Sequence, residues 1–451
     1  MASPMETVSG MHGLKQIARH IFQQTLAAID IPATMQDKLE RNGSRIVSDT
    51  PALDVDIDLA DYHNIFAVAV GKASFSMARG LVELLGPGVC RQGIMVAPGD
   101  ALGEVPGFRA IAAGHPLPDS GSVRAAREIL DLLSFCDERS LVFFLLSGGG
   151  SSLMELPLDS AVTLSDVQLL YRLLVHCGAP IEEINAIRKH LSAVKGGRLA
   201  EAAPSAMKIT LGITDVPAGH ESALGSGPTI PDPTTVADAC RVIERYDLLP
   251  KLPLVFREKF LRPSAIPETL KPGDPAFARG HFGMLLGMHD LFHHAHQAAQ
   301  SCGCVTICDD VTDGWPLGRA ADYLIAQLAA LQFANPGRRV AVISDGEVSS
   351  PVKGEGIGGR NSAFALECVP RIAGKKITVL SAGTDGRDGS SPAAGAVADG
   401  ETLARAQSAG LDCRDFERRS DSYNFFRALG DAVETGPTGN NLRDLRVFLA
   451  E

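Results

Sequence analysis

Short, continuous apolar runs alternate with amphipathic stretches along much of the chain. The runs are too short for helices and are typical of strands buried on both faces of a sheet. In the first half they lie at 65–70, 92–97, 108–113, 141–146 and 207–216. Segments with helical spacing of apolar residues come before or between them, at 11–30, 73–85, 120–134, 164–178 and 181–197. The alternation predicts a parallel sheet with helices on both faces, as in a Rossmann-like α/β domain.

A similar but shorter alternation returns in the second half of the chain. Strands are predicted at 304–310, 339–345 and 376–383 with a final short strand at the end, and helices near 283–300, from 318, from 360 and near 421–430. Prolines accumulate between the two halves, from 227 to 280. We therefore expect a large Rossmann-like domain at 1–245, a proline-rich connection at 246–280, and a smaller C-terminal α/β domain at 281–451.

Composition argues against several classes of partner. The net charge is −11, and no run of lysine or arginine is present, which disfavours nucleic acids and anionic membrane surfaces. No apolar run reaches 18 residues, so a membrane-spanning helix is not expected. The nine scattered cysteines predict reduced thiols in the protein core. Because the first twenty residues also lack the apolar core of a secretory signal, we expect a cytoplasmic protein.

Ligands of parallel sheets bind beyond the carboxyl ends of the strands, so the residues that follow each strand are candidates for chemistry. The run at 141–146 leads directly into Ser147, Gly148, Gly149, Gly150, Ser151 and Ser152. Glycines let backbone N–H groups approach an anion, and the start of the following helix adds partial positive charge. The loop predicts a phosphate site, and the alternative is a tight turn without a ligand. No G-x-S-x-G motif is present here, which disfavours a serine hydrolase.

A lysine, Lys72, follows the strand at 65–70 within the sequence VGKAS. The stretch is not a Walker A loop, because Phe66 and Ala73 stand where that motif needs glycine and serine or threonine. A lysine on this glycine turn would project its charge over the end of the sheet. We expect Lys72 to contact substrate or phosphate, with a solvated lysine at a helix start as the alternative.

The segment 186–200 carries five potential cations. On one continuous helix, Arg188 and Lys195 would share a face because they are seven residues apart. That face would form an edge directed at an anion, and the alternative is a basic, solvated helix face.

Gly358 and Gly359 precede Arg360 at a predicted helix start. The formal GxGxxG pattern at 354–359 does not follow a buried strand, so it is not a dinucleotide-binding fingerprint. A cation is unfavourable at the positive end of a helix. A bound anion that compensates Arg360 would explain its position.

Carboxylates occur at two further strand ends, with Asp215 in the run 207–216 and Asp385 and Asp388 after 376–383. Magnesium is commonly held by one or two carboxylates together with phosphate oxygens. The alternative for these residues is local turn formation and helix capping. His115, which precedes a proline, is interpreted as a packed loop histidine.

Several motifs in order along the chain support a more specific interpretation. They include VGKAS at 70–74, LLSGGGSSL at 145–153, NAIRKHLSAVKGGRLA at 185–200, GGRNSAFAL at 358–366 and GTDGRDGSSPAAGAV at 383–397. Together they resemble the glycerate 2-kinases with a C-terminal MOFRL domain, a family some of whose members have been named hydroxypyruvate reductases. One departure is Asp345, in ISDGEVS, where many relatives carry a glycine-rich SGGET-like stretch.

The resemblance implies ATP-dependent phosphorylation of D-glycerate at its 2-hydroxyl with Mg²⁺, in a cleft between the two domains. It implies Lys72 and Arg360 as catalytic residues. In this interpretation the 147–152 loop, Gly358, Gly359 and Asp388 bind phosphate or nucleotide. Arg188 and Lys195 bind the acceptor, and Asp215 and Asp385 hold the metal.

Two other functions remain open from the sequence. An NAD(P)H-dependent hydroxypyruvate reductase would need a true strand–GxGxxG–helix unit with an acidic residue beyond it. A non-catalytic protein that binds a phosphorylated metabolite would need the phosphate loop without carboxylates for a metal. The partner in each case is a small molecule, and the oligomeric state is open, with a homodimer as one option.

Overall fold

The computed structural model describes residues 13–50, 53–214, 219–440 and 442–451. The chain forms two compact units. The N-terminal unit is Ile31–Leu286, and the C-terminal unit joins Met1–Asp30 to Gly287–Glu451. This division differs from the predicted boundaries, because the first helix belongs to the C-terminal unit and the proline-rich segment 246–280 lies inside the N-terminal unit.

The strands account for both sheets and for a small hairpin layer. In chain order they are β1 (Glu40–Asn42), β2 (Arg45–Thr50), β3 (Leu53–Asp58), β4 (Asn64–Val70), β5 (Gln92–Ala97), β6 (Phe108–Ala112), β7 (Ser140–Leu146), β8 (Met207–Ile213), β9 (Gly280–Leu286), β10 (Val305–Asp309), β11 (Val340–Asp345), β12 (Ile377–Gly383), β13 (Gly395–Asp399), β14 (Ala432–Val433) and β15 (Asp444–Ala450).

The α-helices lie between and around these strands. In chain order they are α1 (Leu14–Ala28), α2 (Ile31–Lys38), α3 (Ser74–Leu85), α4 (Ser120–Leu133), α5 (Gly150–Leu153), α6 (Leu164–His176), α7 (Ile181–Leu191), α8 (Arg198–Ala202), α9 (Val236–Arg245), α10 (Leu254–Leu261), α11 (Met288–Ser301), α12 (Leu317–Ala334), α13 (Arg360–Ile372), α14 (Thr402–Ser408), α15 (Cys413–Arg418) and α16 (Ser422–Leu429). Across the described ranges, none of the helices is both long and apolar enough to cross a membrane.

The N-terminal unit contains the predicted parallel sheet, with strand order β6-β5-β4-β7-β8-β9. The central strand β7 is buried along its whole length, which explains its uninterrupted apolar sequence. The helix α4 begins where the sequence predicts, because Asp119 and Ser122 form a reciprocal cap of two hydrogen bonds at 2.9 and 3.0 Å. Because β4 and β7 pair in parallel, their carboxyl ends lie side by side at one end of the sheet, as expected.

The C-terminal unit has a mixed sheet with strand order β10-β11-β15-β12-β13-β14. The last strand, β15, lies between β11 and β12 and runs antiparallel to both. The helix α1 packs against β12 and β15, and Lys15 on that helix donates a 2.7 Å hydrogen bond to Asp431. These contacts are the physical reason why the first helix joins the C-terminal unit.

The sequence pattern missed several strands. The segment predicted as one helix near 283–300 is strand β9 followed by helix α11, because Gly287 breaks the pattern between them. The antiparallel hairpins β1-β2-β3, the strand β13 and the edge strand β14 were not predicted. The nine cysteines are free thiols, but the prediction that they lie in the core is wrong for most of them. Those that are buried are Cys90, Cys302, Cys304 and Cys368, and Cys308 is exposed.

Candidate active site

The loop after β7 is folded tightly against the loop after β4. The amide of Lys72 donates to the carbonyl of Gly148 at 2.9 Å, and the amide of Ala73 donates to Ser147 Oγ at 3.0 Å. A Cβ at position 71 would lie 2.1 Å from Ser147 Oγ, so Gly71 is required for this approach. Gly71 thus serves chain packing, and the Ser147 hydroxyl is an acceptor within the protein.

The centre of the loop makes a left-handed turn, which fits both an anion-binding turn and a tight turn without a ligand. Gly149 has φ +89°, in the left-handed region, and the short helix α5 begins at Gly150. A four-residue helix has little dipole of its own. Any phosphate contact here therefore depends on the loop amides, on the hydroxyl groups and on nearby cations.

Two side chains that can contact a ligand lie beside this loop. Nδ1 of His115 is 3.0 Å from Ser152 Oγ. The pKa of His115 is lowered by burial and, to a smaller extent, by the positive charge of Lys72. No hydrogen bond or ion pair to the Lys72 ammonium is formed by the described residues. His115 thus lies beside the loop and is exposed, not packed as the sequence interpretation had it, and its position shortly after β6 was the available signal for a place near the loop.

A chain of hydroxyl groups extends from the loop toward α7. Ser151 Oγ is 2.8 Å from Ser226 Oγ, which donates at 3.0 Å to Oδ1 of Asn185. Ser226 is fully buried and has φ +63°, an unusual backbone conformation for a serine. The strain indicates that the position of this hydroxyl is fixed by its surroundings.

Arg188 lies one turn after Asn185 on α7 and is a buried cation. Its guanidinium carbon is 4.1 Å from the centroid of the Tyr171 ring. The buried Nε atom has no hydrogen-bond partner, and none of the described carboxylates forms an ion pair with Arg188. An uncompensated buried cation is costly, so this arrangement supports the predicted anion contact.

Lys195 does not share a helix face with Arg188, and that part of the prediction is wrong. Helix α7 ends at Leu191, and Ser192 is already extended. The Lys195 ammonium is fully buried and pairs with Glu155 at 2.7 Å. It also donates to the carbonyl of Met154 at 3.0 Å. Its charge is therefore compensated within the protein. The structure does not support the predicted contact between Lys195 and the acceptor.

In the C-terminal unit, Arg360 begins α13, as predicted, but two carboxylates compensate it. Its Nε donates to Asp444 at 2.5 Å, and its Nη2 donates to Glu347 at 2.7 Å and to Asp444 at 3.2 Å. Burial opposes the charge of Arg360, but the two carboxylates outweigh burial and raise its pKa. No partner for Nη1 is present among the residues described, so one edge of the guanidinium remains available.

The glycines before α13 are explained by close approach of the chain to itself. A Cβ at Gly359 would lie 2.3 Å from Asp388, and one at Gly358 would lie 2.4 Å from Ser422 Oγ. The amides of Asn361 and Ser362 donate to the Asp388 carboxylate at 2.9 and 2.8 Å. This corrects the prediction for these residues, because Asp388 already occupies the anion position at the helix start.

Of the two predicted metal ligands, only Asp385 lies in the described part of the chain. Asp215 lies outside the described residues. Asp385 is half-buried, and its Oδ1 accepts a 2.9 Å hydrogen bond from the amide of Arg387. Where the chain is described, no three His, Cys, Asp or Glu side chains converge in a way that could hold a metal ion.

Asp345 ends β11 and is fully buried. Neither of its oxygens accepts a hydrogen bond, and the nearest cation is Arg443, whose Nη1 is 3.6 Å from Oδ2. Arg446 donates to the main-chain carbonyls of Asp345 and Gly346 rather than to the carboxylate. Burial raises the pKa of Asp345 to about 6, against the opposing effect of the two arginines.

Comparisons with known proteins cover almost the entire chain. Residues 17–260 match a domain of unknown function, DUF4147, and residues 340–444 match the MOFRL family. A D-glycerate 2-kinase of Thermotoga maritima is 33% identical over 97% of this chain and 98% of its own length. A glycerate 2-kinase of Pyrococcus horikoshii is 34% identical over 85% of this chain and 87% of its own length. A protein of Agrobacterium vitis, named provisionally as a hydroxypyruvate reductase, is 36% identical over 96% of this chain and 94% of its own.

A solved structure supports the same relationship. The crystal structure of a glycerate kinase from Thermotoga maritima superposes with a TM-score of 0.82 at 32% identity, covering 97% of this chain and 99% of that one. The likeness thus includes the mixed C-terminal sheet as well as the parallel one. On these grounds the chain belongs to the glycerate 2-kinase family with a C-terminal MOFRL region.

Proposed function

We propose that this protein transfers the terminal phosphoryl group of ATP to the 2-hydroxyl of D-glycerate and forms 2-phosphoglycerate. The observation that carries the proposal is the pair of cations in the N-terminal unit, Lys72 and Arg188, which lack carboxylate partners among the described residues. Lys72 lies at the 147–152 loop. Arg188 is linked to that loop through Tyr171, whose hydroxyl group is 3.0 Å from the carbonyl oxygen of Ser151.

The division of roles follows from the charges of the substrates. Phosphoryl transfer needs positioning and neutralisation of phosphate charge more than covalent chemistry by the protein. We assign Lys72 and the amides of Gly148, Gly149 and Ser151 to the phosphoryl group, since the amides of the other loop residues donate within the protein. Arg188 is assigned to the carboxylate of the acceptor. A planar guanidinium suits a carboxylate because it can donate two parallel hydrogen bonds.

Arg360 remains the proposed catalytic arginine, through its Nη1 edge. Asp444 and Glu347 hold the other two nitrogens, so the guanidinium is oriented before any ligand binds. Pre-oriented donors stabilise developing charge without reorganisation cost at the moment of reaction.

Magnesium is the proposed metal, although the described residues offer it few protein ligands. Mg²⁺ is usually held by one or two carboxylates and by phosphate oxygens and water, so a large protein cluster is not needed. Asp385 would provide a carboxylate oxygen, and Asp215 is the second candidate. The ion would neutralise part of the phosphate charge.

Two observations disfavour the reductase. The space beside the glycines of the GxGxxG pattern is occupied by the protein itself, since a Cβ at Gly354 would lie 2.7 Å from the carbonyl oxygen of Arg419. The start of α13 is capped by Asp388, whose negative charge would repel a pyrophosphate.

The test is incubation of the protein with D-glycerate, ATP and Mg²⁺, followed by measurement of ADP and identification of the product by phosphorus NMR. We expect ADP release and 2-phosphoglycerate. A parallel reaction with hydroxypyruvate and NADH should show no oxidation of NADH. Formation of 3-phosphoglycerate would overturn the assigned position of transfer, and turnover of NADH without ADP would overturn the kinase.

A further inference from the structure

Tyr171 on α6 lies between Arg188 and the 147–152 loop and has itself been given no role in binding or catalysis. It is almost fully buried, and its hydroxyl group lies 2.5 Å from Oε2 of Glu155 and 3.0 Å from the carbonyl oxygen of Ser151. Glu155 pairs in turn with Lys195. Tyr171 is therefore fixed at its hydroxyl end by the ion pair and by the loop backbone.

The ring of Tyr171 carries a different contact. The Arg188 guanidinium stacks on it with a carbon-to-centroid distance of 4.1 Å, well inside the range of a cation–π interaction. The ring face attracts the cation but carries no net negative charge. Arg188 is therefore oriented by Tyr171 and not neutralised by it.

The buried cluster of Tyr171, Glu155, Lys195 and Arg188 has a net charge of one positive unit. Glu155 and Lys195 neutralise each other. Burial raises the pKa of Tyr171 well above that of a free phenol, with a further contribution from Glu155, so the ring stays neutral. Arg188 is the remaining charge, and its buried Nε has no partner.

We propose that Tyr171 is the positioning residue for the acceptor carboxylate: it holds the Arg188 guanidinium in one plane and ties that plane to the loop at Ser151. This inference rests on the proposed role of Arg188. The inference gives Lys195, Glu155 and Tyr171 a common purpose, which is to hold Arg188 in place without contacting the substrate.

The first experiment compares Tyr171→Phe with Tyr171→Leu. The phenylalanine variant keeps the ring, and the leucine variant removes it. For Tyr171→Leu we expect the KM for D-glycerate to rise on the order of tenfold, with the KM for ATP changed less than about twofold. Tyr171→Phe should give an intermediate KM for D-glycerate, because it keeps the ring that stacks on Arg188 and loses the hydroxyl that ties the ring to Ser151. Tyr246→Leu, which removes a half-buried tyrosine of the same unit, is the matched control and should change neither KM.

The second experiment tests whether the effect passes through Arg188. Arg188→Ala alone should raise the KM for D-glycerate, and adding Tyr171→Leu to it should raise that KM no further. A merely structural role predicts instead that both KM values and the melting temperature shift together, and that the two substitutions add. Either of those results would overturn the proposal.

A third measurement covers the case in which Tyr171→Leu does not fold. Fluorinated phenylalanines at position 171 keep the ring shape and progressively weaken its negative face, so the KM for D-glycerate should rise with fluorination at constant melting temperature. A flat series would overturn the proposal. Calorimetric titration with D-glycerate alone separates this inference from the proposed function. Weaker binding by Tyr171→Leu and Arg188→Ala would support Tyr171 even if no phosphoryl transfer were found.

Discussion

The two units each present a cation at a glycine-rich turn, but they treat its charge in opposite ways. In the N-terminal unit, Lys72 and Arg188 lack carboxylate partners among the residues described, and the nearby Glu155 is matched to Lys195. In the C-terminal unit, Arg360 is held by Asp444 and Glu347. One sequence pattern, glycines beside a cation, therefore describes both an unneutralised site and a neutralised one.

The difference shows which substitutions should affect chemistry and which should affect folding. Removing a cation that lacks an internal partner leaves no carboxylate stranded, so the fold should tolerate it. Removing a cation that compensates a buried carboxylate leaves that carboxylate unpaired and destabilises the native state.

The largest expected effect is that of Lys72→Met, which keeps much of the apolar stem and removes the charge. We expect kcat to fall about 10²–10³-fold, because a donor to the transferring phosphoryl group is lost. The melting temperature should stay close to that of the wild type. Near-normal turnover would show that Lys72 is a solvated lysine without a role in phosphoryl transfer. The contrast between the two units would then rest on Arg188 alone.

Arg360 should show a mixed response. Arg360→Ala should lose turnover and should also lower the free energy of unfolding by about 1–3 kcal/mol, because Asp444 is buried and loses its partner. Arg360→Lys should restore part of the stability but little of the turnover, since an ammonium cannot donate the same planar pair of bonds. Steady-state kinetics and urea unfolding of both variants are the measurements. If Arg360→Lys keeps more than about half of the wild-type kcat, contact through the guanidinium fork is wrong.

Asp345 gives a prediction about pH. Its pKa in the folded protein is raised to about 6, so the folded state binds a proton more tightly than the unfolded chain does. Its contribution is therefore most favourable at low pH and is lost as the pH rises from about 4 to 6, by at most about 3 kcal/mol. Asp345→Asn should flatten this part of the stability profile, measured by urea unfolding between pH 4 and 7. An unchanged slope would show that other groups cause it.

The smallest expected effect is that of Gly149→Val. The left-handed φ of +89° disfavours a β-branched residue, and the new side chain would lie 3.4 Å from the His115 ring. Affinity for ATP or for 2-phosphoglycerate should fall about tenfold, with the fold retained because the change lies in a loop. Calorimetric titration with each ligand is the measurement. If the variant binds each ligand as tightly as the wild type does, the loop is only a turn and does not bind phosphate.

The sequence predicted those features that depend on neighbouring residues. The apolar run at 141–146 and the glycines after it located β7 and its loop, and the Asp–Ser cap located the start of α4. Lys72 and Arg360 were singled out because a cation at a strand end or helix start is unusual. Arg188 was singled out for a helix face shared with Lys195, which the structure does not form. The family motifs added the kinase interpretation, which the residues alone did not specify.

The missed features depend on partners far along the chain. Asp388 caps a helix that begins 28 residues earlier in sequence, at Arg360. Asp444 neutralises Arg360 from the last strand. Nothing in the local pattern around Lys195 indicates that Glu155 is its partner. Charge compensation is set by the tertiary fold, so sequence can locate a cation but cannot show whether it is already neutralised.

The central position of β15 has a consequence for the order of folding. Because β11 and β12 pair through β15, the middle of that sheet stays open until residues 444–450 have been synthesised. Helix α1, which is made first, must wait for the same sheet. The N-terminal unit is continuous in sequence and can fold during translation, whereas the C-terminal unit closes by contacts of very long sequence separation. On the ribosome, therefore, the unit with the unneutralised cations should be complete before the one that contains Arg360.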